Sequence, residues 1–136
     1  MILPSLTVAP SGHKGRGVFT TKKLQAGTIV EISPVIALSK KDRKMVEQTK
    51  LTNYIFEWGD DHKQACLALG YVSLYNHEYN SNCEYEMDFE NLLITIRTVK
   101  PVKKGEELSI NYNATPGDET PVWFDTKAKS KAKNKK

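Results

Sequence analysis

The sequence predicts a mostly β domain of short strands with one short helix. Three observations carry that expectation. β-Branched and aromatic residues recur in short runs bounded by Gly, Pro, Asn and Asp. One stretch alternates strictly between apolar and acidic residues. Only one segment carries a helix start signal, and no internal repeat is found. A chain of 136 residues buries roughly two-thirds of its unfolded surface around one core, so a single domain is expected over residues 1–126.

Taken in order, Val8-Ala9-Pro10 reads as a short strand, Ser11 to Gly17 as a glycine-rich loop, and Val18-Phe19 as the start of a return strand. No helix pattern of the kind a dinucleotide fingerprint needs follows this loop. Lys22 to Gly27 is a turn, and Thr28-Ile29-Val30-Glu31-Ile32 is a strand that Ser33-Pro34 should end. Ser39, with Asp42 three residues on, marks the helix start, and Met45, Val46 and Leu51 give it an imperfect apolar face. Tyr54 to Trp58 and Gln64 to Leu69 form a hairpin around Gly59-Asp60-Asp61, broken by Gly70. Cys83, Tyr85, Met87 and Phe89 alternate with Glu84, Glu86 and Asp88, a half-buried strand with one acidic face; Leu92 to Val99 is its buried partner. Glu107 to Tyr112 is the last strand. Beyond it, Trp123 and Phe124 are two large aromatics that must pack, either as a plug on a sheet or as a lid over a ligand.

Charge and cysteine usage narrow the class. Residues 127–136 hold six lysines and no acid, so the rest of the chain has fourteen basic against sixteen acidic residues. The basicity belongs to a Lys-rich tail, expected to be disordered. Cys66 and Cys83 have no metal-ligand spacing and read as reduced, buried thiols, with a disulfide between them left open, and neither structural zinc nor any other metal is expected. No apolar stretch reaches the roughly 18 residues of a membrane span, and the expected location is cytoplasmic, or nuclear or nucleoid-associated where the host dictates it.

The stretch from Tyr75 to Asn82 concentrates three amides, an imidazole and two phenols after an apolar run. By itself it fits a polar turn as well as a site. Three spaced motifs decide between them: Gly15-Arg16-Gly17-Val18-Phe19; Asn76-His77 with Asn82 five residues later; and Gly105-Glu106-Glu107-Leu108 with Tyr112. In order and spacing they resemble the SET-domain protein lysine methyltransferases, and look most like the small stand-alone viral and bacterial members. Ser81 departs from the proline usual there.

The resemblance implies a SET fold with a knot-like threading of the C-terminal segment, and transfer of a methyl group from S-adenosyl-L-methionine to a lysine ε-amine. It implies that Tyr112 is the central catalytic residue, with Tyr54 and Tyr85 as walls of the lysine channel. Gly15 and Gly17 would lend backbone groups to the methionyl end of the cofactor, Asn76 its amide, and Arg16 a charge facing either the cofactor carboxylate or solvent. His77 would meet adenine through its backbone while its ring holds the loop to the last strand, and Trp123 or Phe124 would cover the adenine. Ile110 lies where relatives tune how many methyls are added. Tyr75 and Tyr79 read as packing residues. The implied partner is a lysine-bearing protein, histone-like or ribosomal, for which the acidic strand face offers a charge attraction. A homodimer and nucleic-acid contact through the tail stay open. The rivals are a SET-like binding module without catalysis and a small nucleic-acid-associated β protein.

Overall fold

The computed structural model describes residues 1–113, 117 and 119. Nine strands and one α-helix appear among them: β1 (Leu6–Pro10), β2 (Arg16–Thr20), β3 (Ile29–Leu38), α1 (Lys40–Val46), β4 (Ile55–Trp58), β5 (Gln64–Ala68), β6 (Asn76–His77), β7 (Cys83–Asp88), β8 (Leu93–Thr98) and β9 (Glu107–Ile110). Three 3-10 turns, Gly12–Lys14, Lys50–Asn53 and Val72–Leu74, join them. The domain boundary at 126, Trp123, Phe124, the lysine tail and the threading expected of the terminal segment lie outside the described residues.

The strands form two sheets, one in the order β1-β2-β9-β6 and the other β4-β5-β3-β8-β7. All pairings are antiparallel except β6 with β9, where Asn76 faces Ser109 and His77 faces Ile110 in parallel register. One hydrophobic cluster serves both sheets. Val18, Leu108 and Ile110 come from the first; Val30, Ile94 and Ile96 from the second; Val72 and Tyr75 join it from the segment leading into β6. Apolar area removed from water on both sheets is what holds them together.

β3 departs from expectation and matters for the site. Ser33-Pro34 does not end it: the strand runs to Leu38, pairing first with β8 and then with β5. Pro34 sits where the partner changes, and its carbonyl accepts from Leu69 N–H at 3.0 Å, so its missing N–H costs little there. A bulge between Ile29 and Glu31 shifts the register, so consecutive residues Val30 and Glu31 are both fully buried. Beyond the bulge, Glu31, Ser33 and Val35 point inward, a phase that simple alternation from Val30 does not give.

The helix starts where expected, with Ser39 Oγ accepting from Asp42 N–H at 3.1 Å. Its expected apolar face is not used. No residue of α1 is buried, and Met45 and Leu51 are exposed. Arg43 tethers the helix instead, donating to the carbonyls of His62 and Gln64 at 3.0 and 3.1 Å and pairing with Glu47 and Glu57.

Candidate active site

The polar half of the site is built where the glycine loop meets β6 and β9. Gly15, at φ 77°, turns the chain from the 3-10 turn into β2. Gly17 is buried against β9, and a Cβ there would collide with Glu107 Oε2 and lie 2.9 Å from Asn76 Nδ2. That bare backbone lets Asn76 Nδ2 donate both to the Arg16 carbonyl, at 3.1 Å, and to Glu107 Oε2, at 2.8 Å. Ser11 Oγ donates to the other Glu107 oxygen at 2.7 Å. Arg16 thus contributes its carbonyl, while its side chain faces outward. Beside this cluster opens a cavity of about 310 Å³ lined by Asn76, Ser109, Glu107, Glu78, Lys14 and Lys100, among others. Lys14 and Glu78 are ion-paired at its rim.

Side-chain amides stitch the loop from Glu78 to Asn82 to β9 and the residue after it. Asn82 acts like an extra peptide group, donating to the Glu107 carbonyl at 2.9 Å and accepting from Ser109 N–H at 2.9 Å. Asn111 Nδ2 donates to the Tyr79 carbonyl at 3.1 Å, which also receives Gly117 N–H at 2.6 Å. Ser81, which stands where proline is usual, is fully buried and its hydroxyl donates to the Cys83 carbonyl at 2.8 Å, fastening the turn.

The aromatic half follows from strand alternation. Asn76 and Ser109 turn toward the cavity, so their neighbours His77 and Ile110 turn to the other face. There His77 Nδ1 accepts from Tyr112 N–H at 3.0 Å, fixing the residue that follows β9. Its ring lies 5.0 Å from that of Tyr112 and 4.4 Å, edge-on, from that of Tyr79. The Tyr112 hydroxyl donates to the backbone carbonyl of Tyr75 at 3.1 Å, and the Tyr85 hydroxyl to the carbonyl of Tyr112 at 3.2 Å. Phe56 completes the group, with ring centroids 5.6 Å from Tyr85 and 6.5 Å from Tyr112. Burial pushes the Tyr112 phenol up to about 12, and the nearby Tyr54 phenol adds to the shift. Tyr85 is likewise pushed up to about 12, by burial first and Tyr112 second. Both are therefore neutral donors at ordinary pH.

Residues 15–113 match the SET domain family. The chain belongs to that family. It is 37% identical over 131 residues to a Schizosaccharomyces pombe protein named histone-lysine N-methyltransferase, H3 lysine-37 specific, covering 96% of this chain and 84% of that one. Its fold is similar to that of a crystallised Plasmodium falciparum chain described as a candidate histone methyltransferase, with a TM-score of 0.63, 23% identity, and coverage of 84% and 97% respectively. The SET architecture and a relationship to SET-domain lysine methyltransferases are thereby established.

Of the residues the sequence singled out, Asn76 lines the cavity, with Gly17 and the Arg16 carbonyl packed against it and Gly15 at the turn before them, while His77, Tyr54, Tyr85 and Tyr112 lie on the aromatic side. Trp123 and Phe124 fall outside the described residues. Three residues that sequence reasoning did not assign to the site stand within it. Glu107 pins Asn76, and its signal was its place within a quoted motif. Phe56 joins the aromatic group, but on sequence it is one more apolar strand residue. Tyr75, read as packing, supplies the carbonyl to which Tyr112 is tied. The donor set suits an amino-acid-bearing cofactor: an anionic and a cationic side chain lining the cavity, Glu78 and Lys14, match an ammonium and a carboxylate, and the bare backbone at Gly17 lets Asn76 and Glu107 stand where they do.

Proposed function

We propose that this SET-domain protein is a protein-lysine N-methyltransferase using S-adenosyl-L-methionine. One observation carries the reading: the two-residue strand β6 has a polar cavity against Asn76 and, against His77, a group of phenols that ends on the Tyr112–Tyr75 hydrogen bond. Transfer would require the methyl donor on the cavity side and the amine on the phenol side to meet at the edge of β6 beside Tyr112, and such alignment supplies much of the rate of a displacement.

The bound cofactor would supply a methyl group made electrophilic by the positive sulfur. Asn76, held by Glu107, and the backbone around Gly17 would grip the methionyl end. Tyr112 and the Tyr75 carbonyl would present oxygens to the polarised methyl hydrogens, contacts that are weak but directional. In the transfer the carbon–sulfur bond would break with its electron pair left on sulfur, and the amine lone pair would form the new carbon–nitrogen bond. That lone pair requires a neutral lysine, a group with a reference value of about 10.4. Burial among Phe56, Tyr85, Tyr54 and Tyr112 disfavours its charged form, so no carboxylate base is needed in the channel. The displaced proton leaves to solvent before transfer.

Within the family, the two isolated, buried cysteines fit the small type that lacks a zinc segment. For the substrate, the fungal relative's name supports a histone-like protein. The acidic face of β7 adds less than its sequence implies: Glu84 approaches Arg97 at 4.0 Å, and Asp88 caps the following turn through Asn91, which holds its carboxyl below the usual range. The test is transfer from methyl-labelled cofactor to a host lysate and to purified histones, with labelled bands read by mass spectrometry. Methyl-lysine is expected. Cofactor binding by calorimetry with no labelled lysine would favour a binding module instead.

A further inference from the structure

Glu31 is fully buried in β3, with no ion-pair partner among the described residues. Three groups donate to it: Ser33 Oγ at 2.6 Å and Tyr71 N–H at 2.8 Å to Oε2, and the Tyr75 hydroxyl at 2.9 Å to Oε1. Gly70, at φ 70°, brings the backbone against it so closely that a Cβ there would collide with both Glu31 Oε2 and Ser33 Oγ. Such a dry, crowded, fully bonded acid is costly to bury and confers geometric definition on what it holds.

What it holds is Tyr75. That ring is 1% exposed and spans from the five-stranded sheet, through Glu31, to the residue immediately before β6 in the four-stranded sheet. Its backbone carbonyl is the acceptor for Tyr112. Burial, with the Glu31 carboxyl second, pushes the Tyr75 phenol well above its ordinary value, so it stays the donor of the pair.

We infer that Glu31 and Tyr75 are positioning residues for methyl transfer: the buried Glu31–Tyr75 hydrogen bond is a strut between the sheets that aims the Tyr75 carbonyl at the Tyr112 hydroxyl. This rests on Tyr112 serving the proposed reaction. The strut is a property of this chain's own side chains, since any apolar residue at 75 would pack there without reaching Glu31.

The test compares wild type with Tyr75→Phe and Glu31→Gln well below their melting temperatures. The residue-75 carbonyl carbon shift, read by NMR, reports the bond without turnover, and Tyr112→Phe gives its value when the bond is absent. In Tyr75→Phe that shift should move toward the Tyr112→Phe value. kcat should fall about tenfold, with KM for a lysine peptide and the calorimetric Kd for S-adenosyl-L-methionine within about twofold. Glu31→Gln can turn its carbonyl to Ser33 and Tyr71 and its amide to the Tyr75 oxygen, so its kcat should stay within about threefold. A folded Tyr75→Phe with a wild-type carbonyl shift and kcat overturns the inference, as does a kcat loss accompanied by equal loss of cofactor affinity. Should Tyr75→Phe not fold, Ser33→Ala removes one of the groups that fix the carboxyl and should lower kcat about threefold with Kd unchanged; an unchanged kcat overturns the inference. If wild type transfers no methyl at all, the proposed function fails, and the carbonyl shift alone decides the strut.

Discussion

Gly17 shows most plainly how one side chain, or its lack, sets the chemistry. Its φ is ordinary, so the constraint is contact: Glu107 and Asn76 occupy the place of a Cβ. Gly17→Ala should cost about 1–3 kcal/mol in chemical denaturation and weaken cofactor binding at least about tenfold, because overpacking here displaces Asn76. Unchanged calorimetric affinity would remove the glycine loop from the cofactor site. Tyr112 gives a second prediction. With its phenol pushed up to about 12, it stays protonated throughout the assay range while the substrate amine deprotonates. kcat/KM should therefore rise with pH toward the amine value of about 10.4 and show no falling limb below about pH 11. A falling limb near pH 9–10, absent in Tyr112→Phe, would contradict this. At this scale the motifs made Gly17, Asn76 and Tyr112 legible in sequence. Glu31 and Tyr75 were not, because an acid in a β-branched run reads as solvent-facing and only the bulge at Val30 turns it inward.

Among elements, strands were legible wherever one face is buried and the other wet. Cys83 to Asp88 alternates because β7 packs one face, Cys83, Tyr85 and Met87, on the core, and its register with β8 follows the sequence pattern. β3 was truncated at Pro34, since sequence does not reveal that a strand can change partners at a proline. β6 is only two residues long, too short for any periodicity, yet it is the partition of the site. α1 was misjudged in its packing: Met45 suggested an apolar face, while the docking is polar and runs through Arg43. Arg43→Ala should cost about 1–2 kcal/mol and raise hydrogen exchange in residues 40–46, whereas Met45→Ala should change stability by less than about 0.5 kcal/mol. A larger loss from Met45→Ala than from Arg43→Ala would restore the apolar-face account.

For the whole molecule, the two sheets matter because the groups of the proposed site are divided between them. Tyr85 and Phe56 come from the five-stranded sheet, and Asn76, His77 and the segment to Tyr112 from the four-stranded one. Hydrogen bonds tie the halves at the site, among them Tyr85 to the Tyr112 carbonyl and Tyr75 to Glu31. A mostly β fold was readable from strand count and turn residues, but not this division, which depends on pairings distant in sequence such as β2 with β9. The central claim is that Tyr112, at the seam, serves methyl transfer to lysine. Its most direct test is single-turnover transfer from labelled S-adenosyl-L-methionine to a lysine substrate by wild type and Tyr112→Phe, with cofactor affinity measured on both. The expected result is a loss of at least about a hundredfold in rate with Kd within about threefold. Equal rates for the two proteins would contradict it.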